Sequence, residues 1–296
     1  MLDGMSNNVE NVIALGSTDV RVSPIGVGTN RWGSRRQADP ARRETFDALA
    51  AAGITFFDTA EIYTLGASEL TIGRCIQESG RRPTVLTKFF PMPWRLRKDA
   101  LRAALKRSLA RLQLPQVDVY LLHFPLGPVP LETWVSALAD VAREGLTRAV
   151  GISNCNPAQM RRAHAVLSSR GVPLACNEVE YSLLKRGPEK SGLLALCREL
   201  GVTLIAYRPL ASGALAGKGT GATDEKLRPL VDAVKTIGQS HGKSPSQVAI
   251  NWVLCKGALP IPGARDPRHA QENAGALGWR LSAAEVAELD AASPAG

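Results

Sequence analysis

The sequence lacks the features that mark membrane-spanning, disulfide-rich and metal-binding proteins. No run approaches the roughly 18 apolar residues that a membrane-spanning helix needs. The five cysteines are widely spread and contain no C-x-x-C pair, which argues against a disulfide framework and a zinc ribbon. Only four histidines occur, and none is paired at metal-ligand spacing. We therefore expect a globular protein without a metal centre.

The amino-terminal segment and the net charge also argue against several classes of partner. Residues 1–12 contain neither a basic n-region nor an apolar h-region, so no secretory signal and a cytoplasmic location are expected. The net charge is +9, but the basic residues come in short scattered groups. We interpret them as a solvated surface, with part of the excess serving an anionic cofactor. No nucleic-acid or membrane partner is expected, and a monomer is the default, although a homo-oligomer is possible.

Eight short apolar or β-branched runs recur along the chain with helical patterns between them. Successive runs through the seventh start about 30 residues apart, the length of one βα unit. Several are apolar throughout, as parallel strands covered on both faces are. The runs are Ile25–Gly28, Ile54–Asp58, Val85–Lys88, Val117–His123, Thr147–Ile152, Leu174–Glu178, Val202–Tyr207 and Ala258–Pro262. Together they predict an α/β fold, a (β/α)₈ TIM barrel that forms a single domain over residues 1–296.

Segments outside the eight units predict additions to the barrel. Val12–Leu15 and Val20–Val22 form an expected β-hairpin that caps the barrel bottom. The gap between the seventh and eighth runs is nearly double the others, and we expect it to hold a Gly-rich loop (Ser212–Thr223) and two extra helices. A further helix is expected at the C-terminus. Helix starts are predicted at Asn156-Pro157, Ser244–Gln247, Asp266-Pro267 and Ser282–Glu285.

Polar residues stand at the predicted C-terminal ends of the strands, where barrel enzymes carry their catalytic groups. Asp58, Lys88 and His123 end the second, third and fourth runs, and Tyr63 follows shortly after Asp58. Each alone has an ordinary explanation as a rim or solvated residue, but barrel closure brings them to one mouth. A phenol has a pKa near 10, and a neighbouring cation lowers it so that the phenol can donate a proton. We predict Tyr63 as general acid, Lys88 as the cation that Asp58 fixes in place, and His123 as a partner of the carbonyl oxygen.

The order of short motifs along the chain resembles that of the aldo-keto reductase family. The matching segments are G-V-G-T (26–29), F-D-T-A-E-I-Y (57–63) with Ser68-Glu69, V-L-T-K (85–88), V-D-V-Y-L-L-H (117–123), G-I-S-N (151–154), N-E-V-E-Y-S-L-L (177–184), A-Y-R-P-L (206–210), P-I-P-G-A-R (260–265) and E-N-A (272–274). The resemblance covers nearly the whole chain. It implies reduction of an aldehyde or ketone by NADPH, with Tyr63, Lys88, Asp58 and His123 as the catalytic tetrad.

The resemblance also implies where the cofactor binds. Ser153 and Asn154 resemble the pair that hydrogen-bonds the nicotinamide carboxamide, and Tyr207 resembles the aromatic residue that stacks on the ring. Arg265 offers a fork of donors to a 2′-phosphate, which favours NADPH over NADH. The expected cofactor residues are Gly28, Thr29, Asp58, Ser153, Asn154, Glu178, Tyr207, Arg208, Leu210, Gly213, Arg265, Arg268, Glu272 and Asn273.

Three features depart from the family pattern. Glu178 stands where the family commonly has glutamine; a carboxylate accepts a hydrogen bond from the carboxamide but cannot donate one. If ionised, Glu178 is expected to favour the cationic oxidised nicotinamide. Arg208 stands where the family often has serine, and it is expected to add a pyrophosphate contact. The third feature is the apolar Phe-Pro-Leu segment after His123, where relatives often carry an acid, together with a sparse set of basic residues in the adenosine loop, for which Arg268 is expected to compensate.

The substrate pocket is expected to be lined with aromatic side chains and to accept a carbonyl compound of modest size. The candidates are Arg31, Trp32, Phe89, Trp94 and Phe124. Trp94 has a second interpretation as a packed loop anchor. Two other functions stay open at this point. One is a Schiff-base lyase that uses Lys88 as a nucleophile, and the other is a non-catalytic NADPH-binding sensor.

Overall fold

The computed structural model describes residues 12–34, 37–211, 213 and 225–294, which form a (β/α)₈ barrel. Its eight parallel strands neighbour one another in chain order, and a parallel bridge between Gly28 and Gly263 joins the last strand to the first. The strands are β3 (Gly26–Gly28), β4 (Phe56–Asp58), β5 (Thr84–Phe89), β6 (Val117–Leu122), β7 (Thr147–Ser153), β8 (Leu174–Glu180), β9 (Thr203–Tyr207) and β10 (Leu259–Ile261). All eight predicted strands and the barrel are confirmed.

Helices cover the outside of the barrel. They are α1 (Arg42–Ala51), α2 (Ala67–Ser79), α3 (Asp99–Leu112), α4 (Leu131–Arg143), α5 (Pro157–Ser168), α6 (Gly187–Lys190), α7 (Leu193–Glu199), α8 (Arg228–His241), α9 (Pro245–Cys255), α10 (Pro267–Ala274) and α11 (Ala283–Ala292). The extra helices predicted after the seventh strand and at the C-terminus are confirmed as α8, α9 and α11. The predicted Gly-rich loop Ser212–Thr223 lies outside the described residues except for Gly213.

The four predicted helix starts are also confirmed. Asn156, Ser244 and Ser282 each accept a hydrogen bond from the backbone N–H three residues later, and the side chain at that later position bonds back in a capping box. Asp266 accepts from the His269 N–H at the start of α10. Side-chain oxygens therefore satisfy backbone donors that have no partner within the helix.

Apolar side chains fill the barrel because successive residues on a strand point alternately inward and outward. Phe56, Leu86, Val119, Leu121 and Ile205 are fully buried inside the barrel. A second, larger apolar layer packs between the strands and the helices. The interior is thus solid below the strand ends, and the polar groups of the predicted site lie at the open mouth.

The predicted hairpin closes the opposite end of the barrel. Its strands β1 (Ile13–Ala14) and β2 (Arg21–Val22) pair antiparallel. Leu15 and Val20 are fully buried among the interior side chains, and the Gly16 N–H donates to Thr203 Oγ1 at 2.7 Å, at the start of β9. The capping role is confirmed, and the C-terminal strand ends face the mouth that the hairpin leaves open.

Candidate active site

A cleft of about 1170 Å³ opens at the C-terminal ends of the strands. It exceeds the volume of roughly 300–1,000 Å³ that is usual for small-ligand pockets, so it has room for a dinucleotide and a substrate. The predicted site residues that line it are Gly28, Arg31, Trp32, Asp58, Tyr63, His123, Phe124, Ser153, Asn154, Glu178, Tyr207, Arg208, Leu210, Gly213, Arg265, Arg268, Glu272 and Asn273. Barrel closure therefore gathers residues that lie far apart in the sequence.

Lys88 is fully buried beneath the cleft, where four oxygen atoms surround its ammonium group. Its Nζ contacts Asp58 Oδ1, donates to Thr59 O at 3.0 Å, and lies 3.4 Å from the Tyr63 phenol oxygen and 3.3 Å from Glu178 Oε2. Burial alone lowers the pKa of Lys88, but the facing Asp58 and Glu178 carboxyls raise it above its ordinary value. Lys88 therefore remains a cation.

Tyr63 opens a strained turn over Tyr63–Gly66. Thr64 and Leu65 have φ angles of 48° and 59°, a left-handed conformation that is unusual for a β-branched residue such as threonine. Thr64 Oγ1 donates to Trp32 O at 2.9 Å, which offsets part of this strain. The sharp turn keeps the Tyr63 phenol at the Lys88 ammonium while the chain leaves for α2.

The phenol of Tyr63 is a weaker acid in this structure than the sequence argument expected. Burial raises the pKa of Tyr63; Lys88 lowers it, but the Asp58 and Glu178 carboxyls oppose Lys88. The net direction is upward. Tyr63 thus carries its proton throughout the neutral range, as a proton donor must.

His123 belongs to an aromatic cluster beside Tyr63. The His123 ring stacks on Phe124 at 5.1 Å and meets the edges of Tyr63 and Phe90, each at 5.7 Å. Burial, followed by the Lys88 charge, lowers the pKa of His123 to about 3, so the imidazole is neutral. Its buried Nδ1 finds no hydrogen-bond partner within the described part of the chain, which suits a group that meets a bound molecule. Phe90 was not among the predicted residues.

Glu178 is buried at the end of β8 and faces both Asp58 and Lys88. Ser153 Oγ and the Asn154 N–H donate to its backbone carbonyl at 2.8 and 2.9 Å, which fixes the strand end. Burial, together with repulsion and a hydrogen bond involving Asp58, raises the pKa of Glu178 to about 8 against the opposing effect of Lys88. The sequence left the ionisation of Glu178 open; the raised pKa favours the protonated carboxyl near neutral pH, which can donate a hydrogen bond as well as accept one.

Asn154 and Tyr207 are joined across the cleft floor. The Tyr207 hydroxyl donates to Asn154 Oδ1 at 3.0 Å, and Asn154 Nδ2 donates to His123 O at 3.0 Å. Asn154 has a φ of 58°, which asparagine tolerates better than most residues. Because Asn154 Oδ1 accepts the hydrogen bond from the Tyr207 hydroxyl, the Tyr207 ring has a defined position on one wall of the cleft.

Thr29, one of the predicted cofactor residues, is fully buried below the cleft and does not line it. Its Oγ1 donates to Asp58 O at 2.7 Å and lies 2.8 Å from Ser68 Oγ. Beside it, the fully buried Glu69 binds Thr87 Oγ1 at 2.5 Å and Arg111 Nε at 2.6 Å. These residues hold the ends of β4 and β5, which carry Asp58 and Lys88. No role was predicted for Ser68 or Glu69, although both fall in a quoted motif.

Two predicted substrate residues lie elsewhere. Phe89 follows Lys88 on β5, so its ring points outward and packs against Trp134 at 4.8 Å, fully buried under α4. Trp94 is 73% exposed on the loop after β5, so it is neither a cleft residue nor a packed anchor. Trp32 does line the cleft, but it is also buried, and its Nε1 donates to Ala264 O at 2.8 Å.

A partly buried ion pair that was not predicted anchors the loop after β5. Arg95 binds both carboxylate oxygens of Glu61, and Nη2 and Oε2 are 3.0 Å apart. The same guanidinium donates to Phe90 O at 2.7 Å, and the Phe90 N–H donates to Glu61 Oε1 at 2.8 Å. We call these contacts the Glu61–Arg95 clamp. It ties the loop that carries Phe90 to the segment that carries Tyr63.

The far end of the cleft is rich in cations and in hydrogen-bonding groups. Arg265 and Arg268 are exposed, and Arg268 lies 3.4 Å from Asp266 at the start of α10. Arg208 lies 3.6 Å from Glu180. Ser244, which was not predicted as a site residue, donates to Glu272 Oε1 across this end. Guanidinium groups along an open cleft fit the phosphates of a dinucleotide.

The described residues meet neither the requirements of a metal site nor those of a membrane-spanning helix. No group of three or more histidine, cysteine, aspartate or glutamate side chains among them could hold a metal ion. None of the helices described is both long enough and apolar enough to cross a membrane.

Fold and cleft together define a (β/α)₈ barrel with a buried acid–base cluster at its C-terminal mouth. The sequence profile of the Aldo/keto reductase family matches residues 24–294. The chain is 38% identical to the chloroplastic pyridoxal reductase of Arabidopsis thaliana, over 92% of this chain and 83% of that protein. The chain belongs to the aldo/keto reductase family.

Solved structures agree with this assignment. A thermostable aldo-keto reductase in complex with the inhibitor epalrestat has a TM-score of 0.81 and 34% identity, covering 95% of this chain and 99% of its own. An aldo/keto reductase from Klebsiella pneumoniae, in complex with NADP and acetate, has a TM-score of 0.80 and 31% identity, covering 97% and 96% of the two chains. Both matches extend over nearly the whole chain.

Proposed function

We propose that this protein reduces an aldehyde or a ketone to an alcohol with NADPH, and that Tyr63 donates the proton. The observation that carries the proposal is the placement of a protonated phenol 3.4 Å from the positively charged Lys88 at the mouth of the barrel. When bound, the nicotinamide supplies a hydride to the carbonyl carbon. The chain's own residues then have to orient the carbonyl and supply a proton to its oxygen.

Each member of the cluster has a part in that proton transfer. Tyr63 gives its proton to the carbonyl oxygen, and Lys88 stabilises the phenolate that this leaves. Asp58 keeps the ammonium in position. His123, as a neutral imidazole, offers a hydrogen bond to the same oxygen without competing as an acid.

The residues along the cleft fit NADPH. Ser153, Asn154 and Glu178 offer hydrogen bonds to a carboxamide, and Tyr207 offers a ring face. Arg265 stands where it can meet a phosphate at the far end, which favours NADPH over NADH. The Klebsiella relative, solved with NADP, supports the same choice of cofactor.

The substrate is proposed to be a carbonyl compound of modest size that binds among Phe90, His123 and Phe124. Those rings suit a planar aromatic or an apolar aldehyde. The Arabidopsis relative is named a pyridoxal reductase, so pyridoxal belongs in the first panel of substrates. The monomeric state stays a prediction. The cytoplasmic location also stays a prediction, and the Arabidopsis relative, which is named chloroplastic, does not support it.

The two alternative functions are less well supported. A Schiff-base lyase needs a neutral lysine as nucleophile, whereas two carboxyls raise the pKa of Lys88. A non-catalytic NADPH sensor has no use for a phenol, an ammonium and a neutral imidazole gathered at one point.

The test is NADPH oxidation with a panel of carbonyl compounds, with wild type compared with Tyr63→Phe. We expect the variant to bind NADPH as wild type does while turnover falls by roughly 10²- to 10⁴-fold, the usual contribution of a general acid. Thr18→Val, a change in the hairpin at the other end of the barrel, serves as control. Full turnover by Tyr63→Phe would overturn the assignment of Tyr63, and a lack of NADPH binding by wild type would overturn the function.

A further inference from the structure

The Lys88 ammonium has more oxygen neighbours than protons. It carries three N–H donors, while Asp58 Oδ1, Thr59 O, the Tyr63 oxygen and Glu178 Oε2 all lie within reach. Asp58 and the Thr59 carbonyl, at 3.0 Å, take two of the donors. The third faces Tyr63 at 3.4 Å. Glu178 Oε2 lies 3.3 Å from Nζ, and among the described residues it has no hydrogen-bond partner. Lys88 Nζ therefore lies between the phenol and the Glu178 carboxyl, within 3.4 Å of both.

Glu178 is a member of this cluster whose pKa lies near neutral pH, so it can change its charge there. Its side chain is 2% exposed, yet it also lines the cleft, so a bound molecule meets it directly. The ionisable groups that face it are Asp58 at the end of β4, Tyr63 beyond it, Lys88 on β5, Tyr207 on β9 and Cys176 on β8 itself. The neighbouring strand β7 contributes the uncharged Ser153 and Asn154. Burial raises the pKa of both carboxyls, and the charge of Asp58 raises that of Glu178 further, so the proton that the pair holds is assigned to Glu178.

We propose that Glu178 is the proton store of this site: through Lys88 it returns a proton to Tyr63 after each reduction, and its carboxylate then balances the positive charge of the oxidised nicotinamide. The inference rests on the proposed function. The transfer is balanced. A Lys88 N–H bond breaks as the Tyr63 O–H bond re-forms, and the neutral amine that this leaves then takes the proton from Glu178, whose O–H bond breaks. Lys88 ends as it began, and the negative charge moves from Tyr63 to Glu178. Glu178 takes a proton back from solvent once the oxidised cofactor leaves.

A glutamine at this position could not make the same transfer, because an amide has no proton to give at neutral pH. The Glu178→Gln variant would have to reprotonate Tyr63 from solvent. The difference between the acid and the amide is thus a difference in proton number, and it can be measured at equilibrium without turnover.

Proton release on cofactor binding provides the test. Titration calorimetry in two buffers of different ionisation enthalpy, at pH 7.5, counts the protons released when NADP⁺ or NADPH binds. Because the pKa of Glu178 is about 8 in the free protein, about three-quarters of the molecules hold this proton at pH 7.5. We expect NADP⁺ to release roughly 0.7 proton more than NADPH does from wild type. Glu178→Gln should abolish this difference, and Glu199→Gln, an exposed acid on α7, should keep it.

The affinities for the oxidised cofactor, NADP⁺, and the reduced cofactor, NADPH, give a second readout. The preference of wild type for NADP⁺ over NADPH should increase between pH 7 and 9 by about tenfold, and the ratio for Glu178→Gln should stay flat over that range. An infrared difference spectrum of wild type gives a third, which needs no variant to fold. Addition of NADP⁺ should remove the absorption of a protonated carboxyl group, and addition of NADPH should not.

Three results would overturn the inference. One is equal proton release by NADP⁺ from wild type and from Glu178→Gln, both of which bind it. Another is a pH-independent affinity ratio in wild type. The third is a protonated carboxyl that persists with NADP⁺. If wild type reduces carbonyls with NADPH and yet gives any of these results, the proposed function stands and only the proton store is refuted. If it binds neither dinucleotide, both are refuted.

Discussion

The Glu61–Arg95 clamp predicts that Arg95→Lys loosens the loop after β5 without unfolding the barrel. Lysine keeps the charge but loses the two-pronged contact with Glu61 and the stacking of the guanidinium on Phe89, which are 4.8 Å apart. The side chains of Arg95 and Glu61 are only 15% and 6% exposed, so solvent screens the pair weakly. Loss of one charge-assisted hydrogen bond costs about 1.5–3 kcal/mol.

Hydrogen exchange measures this cost directly. The Phe90 N–H donates to Glu61 Oε1 at 2.8 Å, so its exchange reports the opening of the clamp. A cost of about 2 kcal/mol corresponds to roughly 30-fold faster exchange in residues 90–98. We expect KM for the carbonyl substrate to rise several-fold, because Phe90 packs on His123, while the Kd for NADPH is unchanged.

Arg102→Lys is the matched control, because Arg102 pairs with Glu144 on the exposed outer surface, where the side chains are 43% and 36% exposed. It should leave exchange in residues 90–98 as in wild type. Unchanged exchange of this segment in Arg95→Lys would refute the reasoning, since the clamp would then contribute nothing to the position of the loop.

Two further predictions concern cofactor choice and acid stability. Arg265→Gln should raise KM for NADPH by about 10- to 100-fold and leave KM for NADH within about twofold, because only NADPH offers a 2′-phosphate; steady-state kinetics with both dinucleotides checks this, and equal effects on both would contradict it. Burial raises the pKa of Glu189, but Arg186, Lys256 and Tyr181 together lower it to about 2, below its unfolded value near 4.3. The stability from Glu189 is therefore complete above about pH 4.3 and is lost as the pH falls towards 2. Melting temperatures from pH 7 to pH 3 should fall less steeply in Glu189→Gln than in wild type, and parallel curves would contradict this.

The fold was accessible from the sequence because its signals are local. The apolar runs and the caps at Asn156, Ser244, Asp266 and Ser282 each lie within a few neighbouring residues, and the structure confirms them. Gathering of the predicted site residues then follows from barrel closure, which brings strand ends together whatever their separation in sequence. The left-handed turn at Thr64 and Leu65 had no such signal, because neither residue is a type that favours positive φ.

Several contacts near this site could be recognised only in the three-dimensional structure. Glu61 and Arg95 are 34 positions apart on two loops, and no periodic pattern pairs them. Phe89 was misplaced because its neighbour Lys88 points inward, and alternation along β5 forces Phe89 outward.

Glu178 is the sharpest case, because its difference from glutamine was visible in the sequence but its protonation was not. Whether a carboxyl holds a proton depends on the charges that face it, and here these come from strands on other sides of the barrel. Asp58 and Lys88 lie 120 and 90 positions before Glu178, yet all three side chains meet beneath the cleft. One ammonium lies between two buried carboxyls, so a second full negative charge has no cation to pair with. The carboxyl that interacts less strongly with Lys88 therefore keeps its proton. Position 178 therefore keeps a hydrogen-bond donor while Glu178 is protonated, and it gains a charge that we propose the cofactor can change.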